Sequence, residues 1–295
     1  MSRVDEALGR AAALGANQVA DPFSTGHEFT PANAADLWPE EVLSEDPAVE
    51  PIAPASLVER APGADVTPEV DEKLVSRLLD SRSVEQYRRL AARLHLAQAQ
   101  RGTKVVMISS ALPGEGKTLT AANVALTLSH SYKRRVLLID GDLRRPGVHE
   151  LFKVPNISGL NDGIRAQTVQ KVPLIRWSEW LTLLTAGRPD SDPMSVLSSD
   201  RMRQIIAEAS ATFDWVIVDT PPVGLLTDAS LLAAIVDAVI LVVQAGRTPF
   251  HEIDRVVQAI GRESIMGVVL NKVEANGTFP YEDYYYSYAS KALAD

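Results

Sequence analysis

The sequence of 295 residues contains no cysteine, which excludes disulfide bonds, thiolate metal sites and a cysteine nucleophile. It also lacks any run of about 18 apolar residues, so we expect no membrane-spanning helix. Its first residues carry charges and no long apolar core, which argues against a secretory signal. No basic stripe with interleaved aromatic residues is present, so we expect no nucleic-acid partner. Together these absences indicate a cytoplasmic protein.

Acidic residues are concentrated in the N-terminal quarter of the chain. Residues 1–75 carry a net charge of −11, so the other 220 residues carry +2 of the total of −9. Prolines recur between residues 20 and 70, and such a segment cannot bury enough apolar surface to offset its chain entropy. We therefore predict a disordered acidic segment over 16–75. Before it, residues 1–15 predict a short amphipathic helix, either a frayed helix or a docking peptide for a partner.

Short apolar runs alternate with helical patterns from residue 76 to residue 274. Six runs have the length of strands: Lys104–Ile108, Val136–Ile139, Leu181–Leu184, Trp215–Val218, Ala238–Val243 and Gly267–Leu270. Helical patterns lie at Ser83–Gln100, Thr118–Ser131, Met202–Ala211, Ala229–Ile235 and Ile253–Ile260. Continuous apolar strands that alternate with helices predict an α/β domain, a doubly wound and mostly parallel sheet with helices on both faces. Ligands of such folds bind at the carboxyl ends of the strands.

The segment Ser109 to Thr118, SSALPGEGKT, lies between a predicted strand and a predicted helix. It fits the phosphate-loop pattern G-x-x-x-x-G-K-[ST], with alanine in place of the first glycine. The segment predicts a P-loop NTPase that binds ATP and Mg²⁺. Lys117 would reach the β- and γ-phosphates, and the hydroxyl of Thr118 would hold magnesium. The other predicted nucleotide-binding residues are Ala111, Pro113, Gly114, Glu115 and Gly116. The alternative is a glycine-rich turn that only resembles the motif.

Carboxylates follow two further predicted strands. Asp140 and Asp142 end the run VLLIDGD, and Asp219 ends WVIVD. Facing a triphosphate, Asp140 and Asp142 can order magnesium waters or accept a proton, so we predict both as catalytic. We predict Asp142 and Asp219, with Thr118, as the magnesium site, because Asp219 has the position of a Walker-B carboxylate. A simple Asp-Gly-Asp turn is the alternative for the first pair.

Three further polar residues have two interpretations each. Arg144 and Arg145 either contact phosphates or a partner's carboxylates, or they are ordinary surface residues. Asn271 follows the last predicted strand, where its amide can read the adenine edge or cap a turn. We include Asn271 among the predicted nucleotide-binding residues. The tail, residues 275–295, is polar and holds five of the seven tyrosines of the chain.

These motifs together resemble the bacterial tyrosine kinases that control capsular and exopolysaccharide synthesis. The family's sequences are similar to SSALPGEGKT, LLIDGDLRRP and VIVDTPPV in this order, and the tail YEDYYYSY is similar to the family's tyrosine cluster. The resemblance implies a protein-tyrosine autokinase in which Asp140 is the base. It implies phosphoacceptors at Tyr281, Tyr284, Tyr285, Tyr286 and Tyr288. An adhesive tail is the alternative for these tyrosines.

The resemblance also implies partners. The family assembles into homo-oligomeric rings through Glu-x-x-Arg-x-x-Arg on the helix before the first strand. Glu85 and Arg88 match, whereas Ala91 replaces the second arginine. Arg89 or Arg93 could take its place, although neither points the same way on a helix. A polytopic membrane activator of the chain-length-protein type completes the site, and a cognate tyrosine phosphatase opposes the kinase. We expect the free-standing cytoplasmic form, recruited to the membrane by that activator.

Two other functions compete with the kinase. ATPases that position septa and plasmids share the expected fold, but they carry a lysine where this chain has Leu112, and they lack the tyrosine tail. The second competing function is a regulatory module that binds ATP without catalysis and acts on a membrane complex. The presence of Lys117, Asp140, Asp142 and Asp219 argues against lost catalysis.

Overall fold

A computed structural model describes residues 59–60, 74, 81–165, 172–189, 192–223 and 227–273 of the chain. The predicted helix at 1–15 and the tyrosine tail at 275–295 lie outside these residues. Within 16–75, for which the sequence predicts disorder, the structure describes three residues. Glu59 and Arg60 form a short strand at the edge of the sheet, opposite Pro173 and Leu174, and Leu74 is fully buried in the core.

The described part of the chain contains one sheet of eight strands. The strands are β1 (Glu59–Arg60), β2 (Val105–Ser110), β3 (Val136–Asp140), β4 (Pro173–Arg176), β5 (Leu181–Leu184), β6 (Trp215–Asp219), β7 (Ala238–Gln244) and β8 (Ile265–Asn271). Their order across the sheet is β1-β4-β5-β3-β6-β2-β7-β8. The pair β4–β5 is antiparallel, and the other pairs are parallel. The mostly parallel sheet predicted from the sequence is therefore confirmed.

Helices and one 3₁₀ turn connect the strands. They are α1 (Ser81–Arg101), α2 (Lys117–Tyr132), α3 (Val148–Phe152), α4 (Leu160–Arg165), α5 (Pro193–Leu197), α6 (Asp200–Thr212), α7 (Thr227–Ala233) and α8 (Phe250–Ile260), with a 3₁₀ turn at Arg262–Ser264. The five helices predicted from periodicity are present, each with ends within about three residues. The additional helices α3, α4 and α5 have five or six residues, too few for a helical period to be visible.

Helices cover both faces of the sheet, as the alternating pattern predicts. On one face, Ala91 and Leu94 of α1 pack with the buried residues of α2 and with alternate strand residues. On the other face, Met202 of α6 and Ile253 of α8 pack with the remaining strand residues. The central strands β2, β3 and β6 are buried along their whole length because both of their faces are covered.

Helix α2 is buried over most of its length because it lies between the sheet and α1. Its first two residues, Lys117 and Thr118, are the last two residues of the predicted phosphate loop. Strands β2, β3 and β6 are neighbours and parallel, so their carboxyl ends meet at one edge of the sheet beside this helix. The topology thus brings the loop and the predicted carboxylates together. No helix in the described ranges has the length and apolar character needed to cross a membrane.

Candidate active site

The phosphate loop joins β2 to α2. Gly116 has φ of +96°, a conformation that residues with a Cβ rarely adopt, and a Cβ there would overlap the side-chain amide of Asn271. Both the backbone and the available space therefore require glycine at 116. Ala111 is fully buried in the core and has no positive φ, so the first position of the loop needs a small residue but no glycine.

The backbone of the loop has N–H groups in a position to bind an anion. The N–H groups of Gly114, Glu115 and Gly116 donate no hydrogen bond to any residue in the described ranges. They precede the N-terminus of α2, where the helix dipole favours negative charge. Amide groups that are free to donate at the start of a helix are the arrangement that binds nucleotide phosphates. The geometry of the loop therefore fits a polyphosphate.

Lys117 lies beside two carboxylates. Its Nζ is 2.9 Å from Asp142 Oδ2, 3.7 Å from Asp219 Oδ1 and 3.2 Å from Thr118 Oγ1. Burial acts to lower the pKa of Lys117, but the charges of Asp219, Asp142 and Asp140 outweigh it and raise this pKa. The lysine is therefore held as a cation at the edge of the loop.

Asp219 is a buried carboxylate with incomplete hydrogen bonding. Its exposed fraction is 0%, and neither Oδ1 nor Oδ2 has a hydrogen-bond partner of regular geometry among the described residues. Burial raises its pKa to about 6, although the charge of Lys117 and the hydroxyl of Thr118 act in the opposite direction. Buried carboxylate oxygens without hydrogen bonds are expensive unless a cation binds them. Asp219 and the Thr118 hydroxyl therefore fit a magnesium ion.

Asp140 ends β3 directly opposite Asp219 of β6. Its Oδ2 accepts hydrogen bonds from the N–H groups of Gly147 and Val148, both at 3.0 Å, at the start of α3. Burial, together with the charge of Asp219, raises the pKa of Asp140 to about 7, while the two N–H groups oppose the rise. A carboxylate with a pKa near neutrality can accept a proton at physiological pH.

Asp142 connects the second motif to the loop. Its Oδ2 binds Lys117, and its Oδ1 accepts the N–H of Arg145 at 3.0 Å. The structure therefore brings Lys117, Thr118 and the three predicted carboxylates into one cluster. Arg144 and Arg145 are exposed beside it, which leaves both of their interpretations open.

Asn271 lies at the end of β8, as predicted, and contacts the loop. Its Nδ2 donates to the carbonyl of Glu115 at 2.8 Å, and the next residue, Lys272, donates from Nζ to the carbonyl of Gly114 at 2.7 Å. Both contacts hold the backbone of the loop from the neighbouring strand. Adenine recognition by Asn271 remains a prediction.

The side chain of Glu115 is a feature that the sequence did not reveal. It is buried, with an exposed fraction of 2%, and it binds groups within the loop and after β7. Thr248, one of these partners, was not singled out from the sequence, because no motif links it to a residue 133 positions away.

The predicted oligomer residues lie on the outer surface of α1. Glu85 pairs with Arg88 at 4.0 Å and with Arg89 at 3.6 Å, and these side chains are about half exposed. Ala91 is fully buried in the core, so position 91 is not part of this surface. The described ranges do not include Tyr281, Tyr284, Tyr285, Tyr286 and Tyr288, and their role as acceptors remains a prediction.

The loop and the facing carboxylates define the class of the protein as a nucleotide-binding P-loop domain. Comparison with known families agrees, because residues 106–288 match the model of the CobQ/CobB/MinD/ParA nucleotide binding domain. The chain is 36% identical over 190 residues to the tyrosine-protein kinase YwqD of Bacillus subtilis, an alignment that covers 63% of this chain and 80% of YwqD. It is 31% identical to the putative tyrosine-protein kinase CapB of Staphylococcus aureus, over 68% of this chain and 89% of CapB.

A solved structure supports the same assignment. The kinase domain of the Escherichia coli tyrosine kinase ETK aligns with a TM-score of 0.65 and 31% identity, over 72% of this chain and 85% of that domain. The chain therefore belongs to the bacterial tyrosine kinases, a branch of the CobQ/CobB/MinD/ParA nucleotide-binding family. The kinase predicted from the sequence is confirmed, and the positioning ATPase is not favoured.

Proposed function

We propose that the protein transfers the γ-phosphate of ATP to tyrosines of its own C-terminal tail and thereby regulates the polymerisation or export of an exopolysaccharide. The observation that carries this proposal is Asp219, a buried carboxylate beside the lysine of the phosphate loop whose oxygens have no hydrogen-bond partner of regular geometry among the described residues. Such a group is costly in a purely structural role, but it suits a site that binds magnesium.

Thr118 and Asp219 would hold the magnesium ion, and Asp142 would bind it directly or through water. Two carboxylates and one hydroxyl would leave coordination positions of the ion open, and phosphate oxygens would fill them. Magnesium and ATP would therefore bind together. Lys117 would leave Asp142 and contact the β- and γ-phosphates, while the unpaired N–H groups of the loop bind the phosphate oxygens.

Asp140 would accept the proton of the attacking tyrosine. In the transfer, the phenolic oxygen forms a bond to the γ-phosphorus while the bond between that phosphorus and the bridging β–γ oxygen breaks. The phenolic proton passes to Asp140, and ADP leaves with the bridging oxygen. The raised pKa of Asp140, about 7, supports this role because a weaker carboxylate base would bind the proton poorly.

The acceptors would be the tail tyrosines of a neighbouring subunit in a homo-oligomer. Glu85 and Arg88 are available for the contact because they lie on the exposed side of α1. We further propose a membrane activator of the chain-length-protein type that recruits the kinase from the cytoplasm to the inner membrane surface, and a cognate phosphatase. The family relationship supports these partners.

Intact-protein mass spectrometry after incubation with Mg-ATP tests the proposal. We expect added phosphate that is alkali-stable, as phosphotyrosine is, and that is absent from Lys117→Met. Exposed Lys153→Met is the matched control and should gain phosphate like the wild type. If ATP binds but no phosphate is added, even with membranes of the encoding organism present, the non-catalytic regulatory module replaces the kinase.

A further inference from the structure

Glu115 places a negative charge inside a loop that binds a polyphosphate, which requires an explanation. The carboxylate is buried, and the residues it contacts donate hydrogen bonds rather than carry a positive charge. The charge alone would repel ATP. A carboxylate at position 115 must therefore be favourable because of the hydrogen bonds that its two oxygens accept.

The two oxygens of Glu115 bind two different segments. Oε2 accepts the N–H of Leu112 at 2.8 Å, across the loop. Oε1 accepts the N–H of Gln244, the last residue of β7, at 3.4 Å and the hydroxyl of Thr248 in the connection from β7 to α8. Thr248 Oγ1 in turn accepts the N–H of Gln244 at 3.1 Å. One side chain thus joins the phosphate loop to the end of β7 and to the β7–α8 connection, residues 245–249.

We propose that Glu115 and Thr248 are positioning residues that hold the phosphate loop in its binding conformation before the nucleotide arrives. The inference rests on the proposed function, since it assigns a role in binding Mg-ATP. Without the hydrogen bond between Glu115 and Thr248, the loop would become ordered only when ATP binds. The cost of ordering would then reduce the free energy of ATP binding. Glu115 therefore acts through the backbone and does not itself contact the phosphates.

Glutamine at position 115 distinguishes this role from a simple effect of charge. A carboxylate accepts at both oxygens, whereas an amide offers one acceptor and one donor. Glu115→Gln therefore removes the acceptor either of the Leu112 N–H or of the Thr248 hydroxyl, and at the second place it sets an amide N–H against the N–H of Gln244, which then keeps only Thr248 Oγ1 as acceptor. Positioning predicts weaker binding of Mg-ATP in Glu115→Gln, whereas relief of repulsion predicts tighter binding.

The experiment has a nucleotide-free arm and a binding arm. In the first, hydrogen exchange is measured at the amides of Leu112 and Gln244. We expect Glu115→Gln and Thr248→Val to accelerate exchange about tenfold, the effect of losing one hydrogen bond to a charged group. Thr248→Ser, which keeps the hydroxyl, and the exposed Glu208→Gln should both exchange like the wild type.

In the second arm, calorimetry gives the Kd of Mg-ATP. Glu115→Gln and Thr248→Val should each raise the Kd about tenfold. The Kd of the double variant should equal the higher of the two single-variant values, because both substitutions break the same connection. The KM for ATP should rise more than kcat falls, because bound phosphates order the loop again at saturation.

Three results would overturn the inference: tighter binding in Glu115→Gln, wild-type behaviour of Thr248→Val in both arms, or additive effects in the double variant. If the wild type fails to bind Mg-ATP, the proposed function fails instead, and the hydrogen-exchange arm alone decides whether Glu115 holds the loop. If Glu115→Gln does not fold, the comparison of Thr248→Val with Thr248→Ser in both arms tests the same inference.

Discussion

The ammonium nitrogen of Lys117 lies 2.9 Å from Oδ2 of Asp142. The loop lysine thus compensates the charge of carboxylates at the ends of β3 and β6. In the proposed reaction the same lysine would contact the phosphates of ATP. Asp142 and Asp219 would then interact with magnesium instead of the lysine. Binding of Mg-ATP therefore replaces one set of ion pairs by another, which keeps the carboxylates neutralised in both states.

Asp219→Asn separates the magnesium role from stability. We expect kinase activity to fall by at least about a hundredfold, because the amide is a poor magnesium ligand. The free energy of unfolding without nucleotide should rise by about 1 kcal/mol, since the variant removes a buried charge that has no hydrogen bond of regular geometry among the described residues, at the cost of the attraction to Lys117. Urea unfolding and a phosphorylation assay measure the two effects. The exposed Asp200→Asn is the control, and a less stable Asp219→Asn would contradict this account.

Stability should depend on pH through the same cluster. Burial raises the pKa of Asp140 to about 7 and that of Asp219 to about 6, both from 3.8. Between pH 4 and pH 7 the folded protein therefore holds protons that the unfolded chain has released. The stability contribution of these groups falls as pH rises through this range, by about 1.4 kcal/mol per pH unit for each proton that the folded protein still holds. Urea unfolding of the nucleotide-free protein should show a shallower pH dependence in Asp219→Asn, and an unchanged slope would refute the assignment.

Gly116→Ala should abolish binding of Mg-ATP. The new Cβ would meet the Asn271 amide and would require a left-handed backbone with φ of +96°. Gly102→Ala, at the end of α1, is a matched control, because its φ is +70° but nothing lies within 4 Å of the added Cβ. The control should lose only about 1 kcal/mol of stability and keep nucleotide binding. Equal Kd values for the two variants in calorimetry would show that the space beside Asn271 is irrelevant.

The surface of α1 should control assembly without affecting the fold. Glu85→Ala combined with Arg88→Ala removes a half-exposed ion pair, so the free energy of unfolding should change by less than about 0.5 kcal/mol. Sedimentation velocity should nevertheless show a loss of oligomers relative to the wild type. The charge-swapped variant of Arg203 and Asp200, an exposed pair on α6, should assemble normally. Unchanged assembly of the α1 variant would exclude this contact.

The sequence predicted the central strands well because β2, β3 and β6 are covered on both faces and read as continuous apolar runs. It missed β4, whose four residues PLIR are only partly buried in an antiparallel pair near the edge of the sheet. The two residues of β1 are too short to form a pattern. Strand β8 was recognised although only Ile265 of it is buried, because its apolar residues form a continuous run. The length of the apolar run therefore determined which strands could be recognised.

The site was predictable where the chemistry is local in sequence. Lys117 and Thr118 lie within one motif, and the three carboxylates lie at the ends of two buried strands, β3 and β6. Long-range contacts were not predictable. The pairing of Glu115 with Thr248 and the approach of Asn271 to Gly116 join residues more than a hundred positions apart, and they depend on the order of strands in the sheet.

The central claim is that a donor site built around Lys117 phosphorylates the tyrosine tail of the same protein. A mixing experiment tests it most directly. One variant keeps the site but has phenylalanine at the five tail tyrosines, and the other keeps the tail but carries Lys117→Met. After incubation with Mg-ATP, peptide mass spectrometry should find phosphate on the tail of Lys117→Met only in the mixture. An unmodified tail in the mixture, with wild-type protein phosphorylated in parallel, would contradict transfer between subunits.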